Sequence, residues 1–472
     1  MRKTKIVCTL GPAVDNEESM RGLIEAGLNA ARFNFSHGTH ESHLATLTRF
    51  KKVCAEMGVS IATILDTKGP EIRIGLFKDG KVELTQGQTF TLTTRDVEGD
   101  ATIVSQSYQG LPGDLEVGMH ILIDDGLIDM TVEKLTDTDV VCSVVNGGPL
   151  SNNKSVNIPG AKIHLPALTE KDRNDLRFAA ENDMDFIAAS FVRKASDVEE
   201  IRAELRRHGG DNIRIISKIE NQEGLDNLDE IIAASDSIMV ARGDLGVEVP
   251  LWELPAIQKD MIHKTTMAGK PVITATQMLD SMTRNPRPTR AEVSDVANAV
   301  FDGTSCVMLS GESANGKYPV ETVKTMAKIC EAAEAATHYW KRFSNRSVES
   351  GMNINYAITH TAVQTAMDLD ASAILTATKS GHTAKMVSRF RPGCPIVAMC
   401  SDEKVRRQLS ISWGVMPFLC EDVKDTDTLF AMCAYTALKN GAVHTGDTVV
   451  ITAGVPIGKS GSTNLIKAQV ID

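Results

Sequence analysis

The sequence is poor in aromatic residues and in net positive charge, and both shortages narrow its possible functions. Phe, Trp and Tyr make up 4% of the 472 residues, and the formal net charge is −11 at pH 7. A nucleic-acid surface needs basic patches and rings for stacking, so no nucleic-acid partner is expected. No apolar run approaches the roughly 18 residues of a membrane-spanning helix, so no membrane association is expected either.

The sequence also lacks paired cysteines and a leader segment. Its nine cysteines are an odd number and form no CxxC pair, a pattern typical of reduced thiols in a cytoplasmic protein. The opening stretch MRKTKIVCTLGP has basic residues, but Gly11 and Pro12 interrupt its apolar run, which argues against a secretory signal. A chain of this length is expected to form two or three domains.

What the sequence does contain is a repeated unit of a short β-branched strand, a polar turn and an amphipathic helix. The predicted strands are TKIVCTL, AARFNFS, SIATILD, DFIAASF, IRIISKI, SIMVARG, PVITATQ and SCVMLSG. Eight strands alternating with helices favour a parallel (β/α)8 TIM barrel, whose active site lies at the carboxyl ends of the strands. A doubly wound open sheet would begin in the same way and is the alternative at this point.

Two segments interrupt this rhythm. Between the third and fourth strands, stretches such as KVELTQGQTFTLTT and DVVCSVV alternate as β-strands do. We interpret residues 70–165 as a small β-barrel, inserted as a lid over the barrel of residues 1–69 and 166–342. A polar linker, KRFSNRSVESGMN, then leads to a predicted C-terminal α/β domain at residues 343–472.

Polar and charged side chains cluster where the predicted strands end. The set comprises Arg32, Asn34, Ser36, Asp66, Thr67, Lys218, Glu220, Asp244 and Thr276. Side chains two apart on a strand face the same side, so Lys218 and Glu220 project together. A single charge at a strand end is more often a solvated loop charge or an ion-pair partner. Several charges at one rim need partners once desolvated, and an anionic ligand with a bound cation would supply them.

The residue types at this rim favour a magnesium site that holds an anion. Two carboxylates with open positions suit Mg²⁺, which takes further oxygens from its substrate. The chain has no HxxxH motif and no cysteine cluster, so zinc is not expected. Arg32 offers a fork for phosphate or carboxylate, and Lys218 is a compact charge placed to neutralise negative charge as it develops.

Six segments of the chain resemble the signature blocks of the pyruvate kinases. They are ARFNFSHG, LDTKGPEIR, ISKIENQEG, MVARGDLGVE, ITATQMLDSM and NPRPTRAEVSDVANAV, and the resemblance runs nearly end to end. It implies transfer of the phosphoryl group of phosphoenolpyruvate to ADP, giving pyruvate and ATP in the last step of glycolysis. Members of this family are usually homotetramers.

The resemblance implies a role for each residue at the predicted barrel mouth. Arg32 would bind the transferring phosphoryl group, and Lys218 would stabilise the transition state and the enolate. Glu220 and Asp244 would hold Mg²⁺ (or Mn²⁺), while the backbone amides of Gly243 and Asp244 would receive the substrate carboxylate.

The remaining roles concern the proton, the monovalent cation and the nucleotide. Thr276 would bind substrate near the face where the enolate is protonated, through a water relay. The expected K⁺ ligands are Asn34, Ser36, Asp66 and Thr67. The expected contacts to the nucleotide phosphates are Asn34, His37, Arg73 and, from the lid, Lys154. Glu71 accompanies K⁺ dependence in this family, because a lysine ammonium at that position would replace the bound cation.

The C-terminal segment SAILTATKSGHTAKMVSRF runs as a strand, a polar turn and a helix, which presents N–H and hydroxyl groups to an anion. The expected effector residues are Thr378, Lys379, Ser380, Gly381, His382 and Thr383, with KSGSTN near the chain end closing over the ligand. A serine-rich turn capping a helix is the commoner meaning of such a pattern. The resemblance favours a phosphorylated effector, with fructose 1,6-bisphosphate, AMP and ribose 5-phosphate as candidates. His382 stands where a permanent cation would be expected.

Two alternatives use much of the same chemistry. A metal-dependent aldolase acting on pyruvate enolate would also want Mg²⁺, Arg and carboxylates, but it would not need Lys154 or a K⁺ site. A metabolite-sensing protein without catalysis would most easily show a replaced Lys218, Glu220 or Asp244, and all three are present. The segment GVPIGKSGSTN resembles the bacterial rather than the animal members, and the sequence stops at Asp472, without the extra C-terminal domain that some bacterial members carry.

Overall fold

The barrel begins with three buried strands and the two helices that join them. A computed structural model describes residues 2–345, 353–457 and 461–472. Its first elements are β1 (Lys5–Thr9), α1 (Glu17–Ala26), β2 (Ala30–Asn34), α2 (His40–Met57) and β3 (Ala62–Asp66). In α2, the Thr39 side chain accepts a hydrogen bond from the Ser42 N–H, and Gly58 ends the helix in the left-handed conformation.

The lid follows β3 and is built from short strands around its own apolar core. Its elements are β4 (Lys81–Leu84), β5 (Thr89–Thr93), β6 (Ile103–Ser105), α3 (Leu111–Asp114), β7 (His120–Ile123), β8 (Ile128–Leu135), β9 (Asp139–Asn146), β10 (Gly148–Ser151) and β11 (Val156–Asn157). The order β11-β7-β8-β9-β5-β6 forms one curled sheet, and β10 pairs with β4 beside it. These strands are all paired antiparallel except β5 and β6, which are parallel. The predicted small β-barrel is therefore a curled six-stranded sheet with a two-stranded sheet at its side.

The second part of the barrel alternates strands and helices as the sequence predicts. Its elements are α4 (Glu170–Glu181), β12 (Phe186–Ala189), α5 (Ala195–Arg207), β13 (Arg214–Ile219), α6 (Gln222–Asp226), α7 (Leu228–Ala234), β14 (Ser237–Ala241), α8 (Arg242–Glu248), α9 (Leu254–Met267), β15 (Val272–Ala275), α10 (Arg290–Asp302), β16 (Cys306–Leu309), α11 (Gly311–Ala314), α12 (Pro319–Ala336) and α13 (Tyr339–Ser344). The predicted sixth strand is shorter than SIMVARG, because α8 begins at Arg242.

The eight barrel strands close into a ring in the order β1-β16-β15-β14-β13-β12-β3-β2, and every pair is parallel. This closure confirms the predicted TIM barrel and excludes the open sheet. Phe33 and Phe35 pack outward into the layer between strands and helices, as the period-two pattern predicts. Ala30 and Ile64 point inward to a separate cluster in the barrel interior, which Ile411 from the C-terminal domain also joins.

The C-terminal domain is an α/β layer around a five-stranded sheet. Its elements are α14 (Ile354–Asp368), β17 (Ala373–Ala377), α15 (His382–Ser388), β18 (Ile396–Cys400), α16 (Glu403–Leu409), β19 (Val415–Leu419), α17 (Thr426–Lys439), β20 (Thr448–Gly454) and β21 (Thr463–Val470). The strand order is β19-β18-β17-β20-β21, with only β21 antiparallel to its neighbour. Residues 346–352 of the predicted linker lie outside the described residues.

The C-terminal domain is tied to the amino-terminal end of the barrel by ion pairs. Arg407 Nε donates to Asp185 Oδ1 at 2.8 Å, and Lys404 Nζ donates to Asp183 Oδ1 at 2.7 Å. Lys5 Nζ donates to the Val415 carbonyl at 2.7 Å. Across the parts of the chain that the structure describes, no helix has both the length and the apolar character needed to cross a membrane.

Candidate active site

Lys218 and Glu220 do project together from β13, into a cluster of charge at the barrel mouth. Lys218 Nζ lies 2.8 Å from Glu220 Oε1 and 3.2 Å from Asp66 Oδ1. It also donates to Ser190 Oγ at 2.7 Å. The period-two spacing on β13 thus brings an ammonium and a carboxylate to one place, where residues from β3 and β12 meet them.

Arg32 reaches the same cluster from β2. Its Nε donates to Asp66 Oδ2 at 2.6 Å, and its Nη1 donates to Thr9 Oγ1 at 2.8 Å. Arg32 is 8% exposed and Asp66 is 1% exposed. Asp66 therefore lies between the two cations and holds both in place, with Arg32 on one oxygen and Lys218 on the other.

Burial and neighbouring charges set the protonation of these groups. Burial would lower the pKa of Lys218, but the carboxylates of Asp66 and Glu220 outweigh it and raise that pKa above its ordinary value. Burial would raise the pKa of Asp66, but Arg32 and Lys218 bring it below its ordinary value. Lys218 is consequently a permanent ammonium and Asp66 a permanent carboxylate at neutral pH.

Glu220 behaves differently, and its environment fits a divalent cation. Burial raises the pKa of Glu220 to about 7, the nearby Asp244 carboxylate acts in the same direction, and Lys218 opposes both. The ionised form of the Glu220 carboxyl is therefore short of nearby positive charge. A bound Mg²⁺ would supply that charge. Among the described residues, no group of three or more His, Cys, Asp and Glu side chains is arranged to hold a metal. Glu220 and Asp244 are the two carboxylates that the resemblance implies for the ion.

Thr276 and Gly243 meet at the ends of β14 and β15. The Gly243 N–H donates to Thr276 Oγ1 at 2.7 Å, and the Thr276 hydroxyl donates to the Ala275 carbonyl at 2.6 Å. Thr276 has a φ of +70°, which is unusual for a β-branched residue. Arg242 holds this corner, since its Nη2 donates to the Thr276 carbonyl at 2.7 Å. A substrate carboxylate at the Gly243 amide would take the place of the Thr276 hydroxyl.

The residues expected to bind K⁺ lie together at the ends of β2 and β3. Asn34 pairs with Asp66 in the register of these strands. The Asn34 side chain accepts from the Ser36 N–H at 3.2 Å, and the Thr67 hydroxyl accepts from the Ser190 N–H at 3.2 Å. Their oxygens give the hard, neutral and anionic donor set that an alkali cation takes.

The residues expected to contact the nucleotide are divided between the barrel and the lid. Arg73 Nε donates to Glu71 Oε2 at 2.8 Å, and Lys154 Nζ lies 2.8 Å from Asp124 Oδ1. An isolated bridge between Arg73 and Ser155 brings the two lid cations onto neighbouring backbone segments. His37 follows β2 on the barrel side and is exposed.

The predicted effector turn lines a cavity of about 360 Å³ in the C-terminal domain. Five of the six expected residues line it, namely Thr378, Lys379, Ser380, His382 and Thr383. Gly381 sits at the start of α15 with a φ of +79°. Thr383 Oγ1 lies 2.7 Å from Thr463 Oγ1, which links the turn to the KSGSTN segment. Lys459 and Ser460 of that segment lie outside the described residues.

The surroundings of His382 favour its neutral ring. Burial, together with the nearby cations Lys385 and Arg389, lowers the pKa of His382 below its ordinary value. Its Nε2 lies 2.9 Å from Asn355 Nδ2. Lys379 is the lysine that the turn contributes to the lining of the cavity.

Several residues that shape the site gave no signal in the sequence reasoning. Thr9, Ser190, Phe191 and Arg242 each hold a functional side chain or its backbone in place. Thr9 and Arg242 stand at the ends of predicted strands and could have been found by the same strand-end rule. Ser190 and Phe191 follow β12 and end the predicted strand DFIAASF, so the same rule applies to them.

Comparisons with known proteins point to one family. The model for "Pyruvate kinase, barrel domain" matches residues 1–323, and the model for "Pyruvate kinase, alpha/beta domain" matches residues 356–469. Pyruvate kinase from Sporosarcina psychrophila is 52% identical over all of this chain and 81% of its own length. Pyruvate kinase from Clostridium acetobutylicum is 51% identical over the full length of both.

A solved structure agrees with the sequence matches. The crystal structure of a pyruvate kinase from Cryptosporidium parvum superposes with a TM-score of 0.94 at 41% identity, covering 100% of this chain and 96% of the other. These matches give no support to the aldolase alternative. They identify a phosphotransferase that moves the phosphoryl group of phosphoenolpyruvate to ADP. The chain, of the bacterial type, belongs to the pyruvate kinase family.

Proposed function

We propose that Lys218, Arg32 and Thr276 are the catalytic residues of the phosphoryl transfer. The observation that supports this is the convergence of Arg32, Lys218, Asp66 and Glu220 within hydrogen-bonding distance at the barrel mouth. Lys218 stays protonated, so a full positive charge faces the place where the enolate oxygen and the transferring phosphoryl group develop negative charge. Arg32, held by Asp66 and Thr9, presents its guanidinium to the phosphoryl oxygens.

The resident metal would be Mg²⁺ or Mn²⁺, held by Glu220 and Asp244. When bound, this ion supplies Lewis-acid stabilisation of negative oxygens on the substrate. Glu220 contributes from the floor of the site, where it is 1% exposed, and Asp244 contributes from the first turn of α8. Burial keeps both the substrate and Glu220 away from bulk water, which strengthens each charged contact.

The substrate carboxylate would bind at the Gly243 and Asp244 amides, close to Thr276. Because the Thr276 hydroxyl already donates to a carbonyl, it orients a water rather than acting alone as the acid. This arrangement delivers a proton to the enolate carbon after phosphoryl transfer. Binding groups for the carboxylate and for protonation therefore share one corner of the barrel.

The second substrate, ADP, would lie between the barrel and the lid. Asn34 and His37 would meet its phosphates from the barrel, while Arg73 and Lys154 would meet them from the lid. K⁺ would sit among Asn34, Ser36, Asp66 and Thr67, adding positive charge beside the phosphates. In this proposal the lid spans residues 70–165 and the effector domain spans residues 343–472.

Three further properties belong to the same proposal. The cavity lined by Lys379, Ser380 and Thr383 would take a phosphorylated metabolite that activates the enzyme. The chain would act as a homotetramer in the cytoplasm.

One pair of assays tests the activity. Purified protein is supplied with phosphoenolpyruvate, ADP, Mg²⁺ and K⁺, and ATP formation is followed with a coupled assay. The same preparation is supplied with Mg²⁺ and 4-hydroxy-2-oxo acids to detect aldol cleavage. We expect ATP formation and no cleavage. Cleavage without ATP formation would overturn the proposed roles of Lys218 and Arg32.

A further inference from the structure

The chain turns sharply just after β12, and this corner touches both functional side chains of β13. Ser190 Oγ accepts a hydrogen bond from Lys218 Nζ at 2.7 Å and donates to the Thr67 carbonyl at 2.6 Å. Phe191 donates its backbone N–H to Glu220 Oε2 at 2.6 Å. Ser190 therefore holds the Lys218 ammonium, and the next residue, Phe191, holds the Glu220 carboxylate. Neither Ser190 nor Phe191 is among the proposed reactive groups.

The backbone at this corner is strained in a way that the contacts explain. Phe191 has a φ of +55°, a left-handed conformation that bulky side chains rarely adopt. Such strain persists only where the surroundings enforce it, and it concentrates at functional sites. Here the turn takes the Phe191 N–H out of the sheet ladder, since β12 ends at Ala189, and directs it at Glu220.

The corner is also fixed from the side of the lid. Gly69, where the chain leaves β3 for the lid, has no room for a side chain: a Cβ there would lie 2.8 Å from Ser190 Cβ and 3.0 Å from the Phe191 ring. The Gly69 N–H donates to Asp172 Oδ1 at 3.0 Å. Ser190 is 6% exposed and cannot move into solvent. The hydroxyl is therefore held between the Thr67 carbonyl and the Lys218 ammonium, with a longer contact of 3.4 Å to Asp66 Oδ1.

We infer that Ser190 and Phe191 form a positioning element, in which the Ser190 hydroxyl aims the Lys218 ammonium and the Phe191 N–H aims the Glu220 carboxylate. The inference builds on the proposed roles of Lys218 and Glu220. Asp66 and Glu220 supply the charge that keeps Lys218 protonated. The Ser190 hydroxyl, which is itself hydrogen-bonded to the Thr67 carbonyl, fixes the direction in which the Lys218 ammonium points. Neither Ser190 nor Phe191 is expected to touch substrate.

The first test replaces the hydroxyl. Ser190→Ala should lower kcat about tenfold to a hundredfold, because a displacement of about 1 Å at a reacting group costs up to that much. The KM for phosphoenolpyruvate and the directly measured affinity for Mn²⁺ should stay within about twofold, since the hydroxyl touches neither ligand. Ser190→Thr keeps the hydroxyl and should recover most of kcat.

Ser217→Ala is the matched control. Ser217 lies next to Lys218 and is fully buried, but its hydroxyl pairs with Ser235 Oγ at 2.6 Å, away from the site. This variant should lose thermal stability as Ser190→Ala does while keeping its kcat. Equal losses of kcat in both variants, or an unchanged kcat in Ser190→Ala, would show that Ser190 is only structural. If Ser190→Ala does not fold, Ser190→Cys fills the space with a weaker acceptor and should show the same loss of kcat.

The second test separates the Phe191 backbone from its ring. Phe191→Asn removes the ring but tolerates the left-handed conformation, whereas Phe191→Val disfavours it. Mn²⁺ binding to the protein, measured from the spectrum of free Mn²⁺, should weaken about tenfold in Phe191→Val and by no more than about threefold in Phe191→Asn. Unchanged binding in Phe191→Val, or equal weakening in both, overturns the assignment to the backbone.

The Lys218→Met variant distinguishes this inference from the proposed function. If Lys218→Met keeps its activity, the proposed role of Lys218 is wrong. If Lys218→Met is inactive while Ser190→Ala retains full kcat, only the positioning role of Ser190 fails.

Discussion

Lys218 and Lys5 are both buried lysines, yet their surroundings shift their pKa values in opposite directions. Lys218 faces two carboxylates, Asp66 and Glu220, which raise its pKa. Lys5 donates to the Val415 carbonyl, and burial together with the Arg2 cation lowers its pKa to about 8. The charged form of lysine is therefore favoured for Lys218 at the barrel mouth, where carboxylates surround it. It is disfavoured for Lys5 at the opposite end of the barrel.

The role of Lys218 gives the first prediction at this scale. Lys218→Met should lower kcat by about 10²–10³-fold, because it removes a preorganised cation from the centre where negative charge develops. Circular dichroism should show an intact fold. Lys324→Met, a change at an exposed lysine on α12, is the control and should keep full activity. A Lys218→Met enzyme within about tenfold of the parent would contradict the assignment.

Lys5 gives a prediction about stability and pH. Its pKa is lower in the folded chain than in the unfolded chain, so the unfolded state binds more protons between these two values. The free energy of unfolding should therefore rise as the pH increases from about 8 to about 10, by roughly 2–3 kcal/mol relative to Lys5→Met. Urea titrations of both proteins across this range measure the difference. Lys324→Met should show the pH dependence of the parent, and a parent curve parallel to that of Lys5→Met would refute the prediction.

At the scale of elements, loops and helix ends carry more of the site than the strands do. Lys218 and Arg32 come from strands, but Asp244 comes from the first turn of α8 and Thr276 from the turn after β15. The lid adds Arg73 and Lys154 from segments with no helix. The barrel strands form a rigid scaffold, and the loops at their carboxyl ends set the distances between the side chains of the site.

The entry to the lid carries the prediction about K⁺. Glu71 Oε2 accepts from Arg73 Nε. Because a carboxylate at this position, unlike a lysine ammonium, cannot replace a bound cation, we expect activity to fall sharply when K⁺ is replaced by a bulky organic cation. Glu71→Lys should retain activity without K⁺, whereas Glu83→Lys, on the exposed lid strand β4, should not. Equal rates of the parent with and without K⁺ would contradict the prediction.

Helix α16 carries a prediction about the contact between domains. Asp185 is fully buried, and burial raises its pKa while the Arg407 guanidinium opposes that rise. Arg407→Leu leaves this carboxylate buried without its partner, so the free energy of unfolding should fall by about 3–5 kcal/mol. The loss should be smaller in acid, where Asp185 is protonated. Arg406→Leu, which removes a pair with the exposed Glu403, should change stability by less than about 1 kcal/mol. Equal losses in both variants would refute the role of Arg407.

At the scale of the whole molecule, the effector cavity and the active site belong to different domains. β18 and the turn after it line the cavity, and α16, which follows, pairs with Asp183 and Asp185 at the start of β12. β12 ends at the Ser190 corner. A continuous set of packed elements therefore connects the proposed effector cavity with the barrel mouth, and it would carry the coupling if the proposal holds.

Activation by a phosphorylated metabolite is the prediction at this scale. Fructose 1,6-bisphosphate, AMP or ribose 5-phosphate should shift the saturation curve for phosphoenolpyruvate by roughly 5–150-fold, the range that typical coupling energies allow. A variant with Ser380→Glu and Thr383→Glu should lose this response, because it places negative charge in the cavity. Thr445→Glu, an exposed change in the same domain, should respond normally. A response that persists in the double variant would show that the site is elsewhere.

The lowered pKa of His382 adds a pH dependence to this test. Because burial and two cations lower its pKa, activation should not weaken as the pH rises through the ordinary histidine range of about 6.5. A loss of effector affinity near that pH would show that the imidazolium binds the phosphate.

The sequence by itself predicted the eight strands of the barrel and the residues that we propose as its reactive groups. Period-two and helical patterns are local, so they predicted eight strands and sent Phe33 outward and Arg32 to the mouth. The spacing of Lys218 and Glu220 likewise predicted their shared side on β13. The lid and the C-terminal domain were recognised because they interrupt one repeated pattern.

Only the tertiary structure decided how these groups are held and charged. Ser190 touches Lys218 across 28 positions of sequence, and Arg407 touches Asp185 across 222. The pKa values also depend on contacts that are distant in sequence. Lys5 and Lys218 have the same side chain, but their different neighbours shift its pKa in opposite directions. A pKa shift and a hydrogen bond depend on burial and on atoms that are distant in sequence, and no local pattern encodes either of them.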